Sequence, residues 1–269
     1  MTTVTGRTAT ATGPVLRTLR FTGFDLRRLI GDWAMLFFSM ALPVIFYLVF
    51  GAAMGYGTQP FGSGNVKASV MIGMALYAGI TGAVAASGNV VVETKTGWGR
   101  QLALTPLTTG QRTAATVAGI LVRAVLPVLA VFTVGAITGA VMPGGAWVAC
   151  PLLCVAGAVP FGFYGMIWSL LVATDTSVSI ASTSVVILAF LGNVFMPLPE
   201  GLLAVGRFTP LYGVSALAHW PLGHGEQTVG FGEGSTTDPL WWALLNIAAW
   251  TVVFVTGALA LQHRERGRQ

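Results

Sequence analysis

The sequence predicts an all-α polytopic membrane protein with six transmembrane helices, and three observations carry that. Of 269 residues, 54% are hydrophobic and only 9% are charged, where a soluble domain carries about 25%. Mean hydropathy is +0.76, and several apolar stretches exceed the roughly 18 residues needed to cross a bilayer. The basic residues are also unevenly placed. Arg7, Arg17, Arg20, Arg27, Arg28, Lys95, Arg100, Arg112, Arg264, Arg266 and Arg268 fall on one side of the predicted layout. Lys67 and Arg207 fall on the other, and Arg123 falls inside a span. Cytoplasmic loops collect Lys and Arg, so both termini are expected in the cytoplasm and the number of spans is even.

Residues 1–14 are rich in Thr and Ala and read as a disordered tail; 15–269 read as one six-helix transmembrane domain. In Val15–Trp33, leucines alternate with arginines at helical spacing, which predicts an amphipathic interfacial helix; a solvated basic tail is the alternative. The six spans are expected at Ala34–Met54, Ala68–Val92, Ala114–Ala140, Ala146–Val172, Val178–Phe195 and Leu240–Leu261. Pro43 predicts a kink in the first. Met142–Gly145 reads as a tight turn, and Trp241-Trp242 as an interface anchor. The first apolar run is too long and too far from the start for a cleavable signal peptide. Cys150 and Cys154 lie within a span and read as small buried hydrophobes.

Asn89–Thr113 concentrates charge between the second and third spans. Val91, Lys95, Trp98 and Leu102 fall on one side of a helical wheel, and Glu93, Gly97 and Arg100 on the other. Gly97 and Gly99 weaken a helix, and Pro106 ends one. The expectation is a membrane helix ending near Glu93–Gly97, then a short surface helix over Trp98–Thr105. Glu93, Gly97, Arg100, Leu102, Thr105, Pro106 and Leu107 in this order resemble the ABC-2 type transporter permeases. Where many bacterial members read Gly-Thr-Leu, this chain has Gly97-Trp98-Gly99. The resemblance implies the membrane subunit of a bacterial ABC exporter in the plasma membrane. It implies a second permease copy or paralogue, and ATP and magnesium held by a separate ATPase. Glu93, Gly97, Trp98, Arg100, Leu102, Thr105 and Pro106 would then form the coupling helix that contacts that ATPase.

A second stretch, Asn193–Trp220, is similar to the segment between spans five and six of the same family, through Phe195, Pro197, Leu198, Phe208, Pro210, Leu211 and Tyr212. Its prolines cut it into pieces too short to cross. Two half-inserted outer helices are expected, with Phe195, Pro197, Leu203, Pro210 and Tyr212 as an outer lid; an ordinary surface loop is the alternative. Leu202, Leu203, Val205 and Phe208 are expected to pack against the outer ends of the spans.

The chain has no P-loop, no Gly-x-Ser-x-Gly and no His-Glu-x-x-His, so it reads as a transport subunit and not an enzyme, with no cofactor or metal of its own. Ser87 and His219 fall at opposite ends of the layout, which separates any Ser/His pair. His219, His224, Glu226, Glu233 and Asp238 match no metal-ligand spacing and read as a solvated outer loop. Arg123 is a costly charge within a span, either snorkelling or functional. Asp175 either caps span five or touches a partner. No basic face carries the aromatic or motif support that nucleic-acid binding needs. An ion-coupled secondary transporter is the weaker alternative, since the spans show no repeated carboxylates; a membrane scaffold is the third. The same lack of carboxylates argues mildly against a cationic substrate; drug-like molecules, lipids and glycans stay open.

Overall fold

Asn65 starts the helix on which the fold is built. Its backbone is extended, and its side-chain oxygen accepts the Ala68 N–H at 3.0 Å, satisfying one of the donors a helix start leaves open. In this computed structural model, which describes residues 23, 33–95, 109–230 and 234–266, the helix that follows, Val66–Glu93, is central. The described chain is mostly helical. Its helices are α1 (Trp33–Tyr47, running into a π turn over Leu48–Ala52), α2 (Val66–Glu93), α3 (Thr109–Ile137) and α4 (Gly144–Leu171). They continue as α5 (Asp175–Leu191), α6 (Glu200–Gly206), α7 (Pro210–Gly223) and α8 (Leu240–Arg266). Two short antiparallel hairpins complete it, β1 (Pro60–Phe61) with β2 (Gly64–Asn65) and β3 (Glu226–Thr228) with β4 (Ser235–Thr237).

Helix α2 packs most extensively on α4 and α3, and also on α5, α1 and α7. Small residues make this possible, because membrane helices associate by close backbone approach and not by escaping water. A Cβ at Gly82 would overlap the Arg123 carbonyl of α3, and one at Gly165 of α4 would overlap the Val84 carbonyl of α2. In the most apolar stretch of α2, 72% of residues are buried, against 17% in α8. The outer faces of the bundle are apolar too: Val148, Leu152, Ile187, Val252 and Val253 are all exposed. Such a surface needs a lipid solvent, and the chain is a membrane protein.

Four helices, α2, the Val117–Ile137 part of α3, α4 and α8, are long and apolar enough to cross a membrane. Helices α1 and α5 are apolar but shorter among the described residues. Helices α6 and α7 meet at 101°, a broken span or a re-entrant loop. Six uninterrupted spans are therefore more than these helices provide by length alone. The connections expected on one side of the membrane do gather at one end of the bundle. Ser63 donates from backbone and side chain to the Leu222 carbonyl, each at 2.8 Å, and Asn65 N–H reaches the Val141 carbonyl at 3.1 Å. At the opposite end, the Lys95 ammonium donates to the Leu170 carbonyl near the end of α4, at 3.2 Å, where carbonyls lack helical partners and the helix dipole favours a cation. The connection 55–65 forms a 3-10 turn and the β1–β2 hairpin.

Candidate functional site

The break between α6 and α7 frees backbone groups that an apolar environment cannot solvate. Helix α8 supplies their partners. Asn246 Nδ2 donates to the carbonyls of Arg207 (2.9 Å) and Thr209 (3.1 Å), and Trp250 Nε1 donates to that of Phe208 (2.9 Å). Below the break, Arg207 makes a two-pronged ion pair with Asp238, Nη2 to Oδ1 at 2.7 Å and Nε to Oδ2 at 3.1 Å. The Tyr212 hydroxyl donates to the same Asp238 Oδ2. A planar guanidinium matches a carboxylate in this way. Leu198, Leu203, Tyr212 and Val229 close into a small separate core with Trp242 against it.

Of the expected lid residues, Leu203 and Tyr212 are each 1% exposed, and Pro210 is buried at the first turn of α7. The expectation that Leu202, Val205 and Phe208 are buried is overturned: all three are exposed. In a seven-residue helix only one edge can face the bundle, and Leu203 occupies it. Asp238 is also not part of a solvated loop, being 9% exposed and bound on three sides by Arg207, Tyr212 and, through its backbone, Gly225. Gly230, after β3, is buried, has φ of +47° and donates to the Leu198 carbonyl at 2.9 Å.

Phe195 and Pro197 line a partly open cavity of about 510 Å³ at the same end, bordered by α1, α2, the end of α5, α7 and β3. One wall is a stack of rings around Phe195, set edge-on to Phe46 at 5.9 Å, Phe190 at 5.0 Å and Tyr77 at 4.8 Å. Asn193 holds the wall in place. It adopts φ of +56°, accepts the Leu198 N–H at 2.8 Å, and donates to the Gln227 side chain and the Thr228 carbonyl. His219 lies on another wall between two carbonyls, Nδ1 at 2.8 Å from that of Ser215 and Nε2 at 2.9 Å from that of Ser69, and as a neutral ring it donates to one of them. His219 is thus a clamp between α7 and α2, not a loop residue in solvent. Apolar lining with a few placed polar groups, at this volume, is the usual form of a small-molecule site. The sequence reading singled out Phe195 and Pro197 and missed the cavity, whose walls come from segments more than 180 residues apart, from Phe46 to Gly230.

At the opposite end, Glu93 is the last residue of α2 and half-buried. Gly97, Trp98, Arg100, Leu102, Thr105 and Pro106 lie outside the described residues, as does the proposed interfacial helix apart from Gly23 and Trp33, the latter opening α1. Arg123 is half-buried on α3. Asp175 opens α5, next to the cap residue Thr174, where a negative charge favours the helix dipole. Among the described residues, no group of three or more His, Cys, Asp and Glu could hold a metal.

The fold and these sites define a mostly helical membrane protein with a broken helix pair roofing one end. Over 236 residues, 86% of this chain and 91% of the relative, it is 24% identical to the protein named "Putative transport permease YvfS" of Bacillus subtilis (strain 168). No protein-family model matches the chain.

Proposed function

We propose that this chain is the permease subunit of an ATP-driven ABC-2 type exporter, working beside a separate ATPase and a second permease copy or paralogue. The observation that carries the reading is the similarity to a protein named a putative transport permease, which covers 86% of this chain and 91% of that protein and not one motif. The order of charge and proline through Glu93–Pro106 supports the coupling role, and the aromatic cavity beside the α6–α7 pair supports a substrate route at the other end. In this reading the hairpin end faces outward, both termini face the cytoplasm, and closure of the ATPase subunits moves α2 and α3 through the Glu93–Pro106 stretch.

The test is co-expression with a candidate ABC-type ATPase subunit from the same organism. The two should co-purify, and the permease in vesicles should raise ATP hydrolysis several-fold. Glu93→Ala and Trp98→Ala should each lower that stimulation with unchanged expression and membrane insertion. An ATPase that neither co-purifies nor responds, with the permease intact, overturns the reading.

A further inference from the structure

We propose that the cavity around Phe195 binds an organic cation with an apolar, aromatic body, and that Glu226 supplies its counter-charge. The inference rests on the transport reading above and names the substrate class for it. Six aromatic side chains line the space, Phe46, Phe50, Tyr56, Phe61, Phe190 and Phe195. Their ring faces carry negative potential and attract cations, most strongly where water is excluded. Glu226 is the one Asp, Glu, Lys or Arg side chain among the described lining residues, so with His219 as the neutral ring the formal charge of that lining is negative. The polar side chains Asn193, Gln227 and His219 are already engaged, with one another or with backbone. They orient a ligand less than they shape the wall. The volume of about 510 Å³ suits a body of drug-like size.

The carboxylate comes from β3 and not from a span, which is why spans without acidic residues do not argue against a cation here. Its position in the sheet offers an independent way to cancel it. Glu226 pairs directly with Thr237 across the β3–β4 hairpin, and residues directly opposite in an antiparallel pair project on the same face. A lysine at 237, an exposed position, would sit beside Glu226.

Tetraphenylphosphonium and tetraphenylborate have the same shape and opposite charge. Their binding is measured on the purified permease in lipid nanodiscs, without any ATPase, with protein-free discs subtracted. The wild type should bind the phosphonium at least tenfold more tightly than the borate. Glu226→Gln and, separately, Thr237→Lys should weaken phosphonium binding about tenfold and leave borate binding equal or stronger. Phe195→Ala should weaken both. Equal phosphonium affinity in the wild type, E226Q and T237K, or equal affinity of the wild type for the two ions, overturns the proposal. Because no ATPase is present, failure here leaves the coupling test untouched, and failure of coupling leaves the cation result standing.

Discussion

Two polar clusters fasten the hairpin end of this protein, and they do it by different means. Asn65 is neutral and binds backbone only. Its amide accepts from the N–H groups of Ala68 and Val141 and donates to the Gly139 carbonyl, all at 3.0 Å. One side chain thereby joins the start of α2 to the α3–α4 turn. Asp238 is charged and binds side chains, Arg207 and Tyr212, beneath the α6–α7 break. An amide suits a junction where loose backbone groups need partners. An ion pair holds two segments that would each, alone, carry a costly charge or hydroxyl into an apolar setting. The difference predicts how each responds to mutation.

Asp238→Ala should have the largest effect. It leaves the guanidinium without its partner and should cost about 3 kcal/mol, at the lower end for a broken buried pair because Arg207 keeps some solvent contact. Thermal unfolding in detergent, followed by size-exclusion fluorescence, reads this. Replacing both partners, Arg207→Leu with Asp238→Leu, should be milder than the single change, since apolar replacement of a whole pair is often close to neutral. A double mutant as damaged as the single would remove the ion pair as the cause. Asn65→Ala should come second, at about 2 kcal/mol, from the lost cap and the orphaned Val141 and Gly139 groups. No second substitution rescues it, because its partners are main chain; full rescue by a change in the α3–α4 turn would break the contrast. Trp250→Phe should be smallest, about 1 kcal/mol for a single hydrogen bond to Phe208. Its expected signature is faster proteolysis near Phe208 with little change in melting temperature.

The helices were legible in the sequence because length and apolarity are local properties. Ala146–Val172 was expected where α4 runs Gly144–Leu171, and Leu240–Leu261 where α8 starts at Leu240. What was not legible is which apolar residues meet protein. In water, burial separates inside from outside; in lipid, both surroundings are apolar. Leu202 and Leu203 read alike, yet one is 52% exposed and the other 1%. Asp238 looked like part of a polar loop because its partners Tyr212 and Arg207 lie 26 and 31 residues back. Asn193 offered a weak sign, an amide directly after a glycine at a helix end, where left-handed backbone is common. The cavity needs α1, α2, α5, α7 and β3 at once, and no window along the chain contains them. The coupling stretch was the plainest motif of all, and most of it lies outside the described residues.

The dependence of the α6–α7 break on Asn246 and Trp250 fixes an order of events during biogenesis. The ribosome delivers residues 200–223 well before residue 246 exists. Until α8 has been made and inserted, the carbonyls of Arg207 and Phe208 lack the donors that settle them in an apolar setting. The broken pair must therefore wait in water at the membrane surface, or in the care of the insertion machinery. Its final seating is a late step triggered by α8. Chains ending before Asn246 would then be recognised as unfinished by a membrane protease, and nascent chains stalled on either side of that residue should change abruptly in their resistance to cleavage at the break.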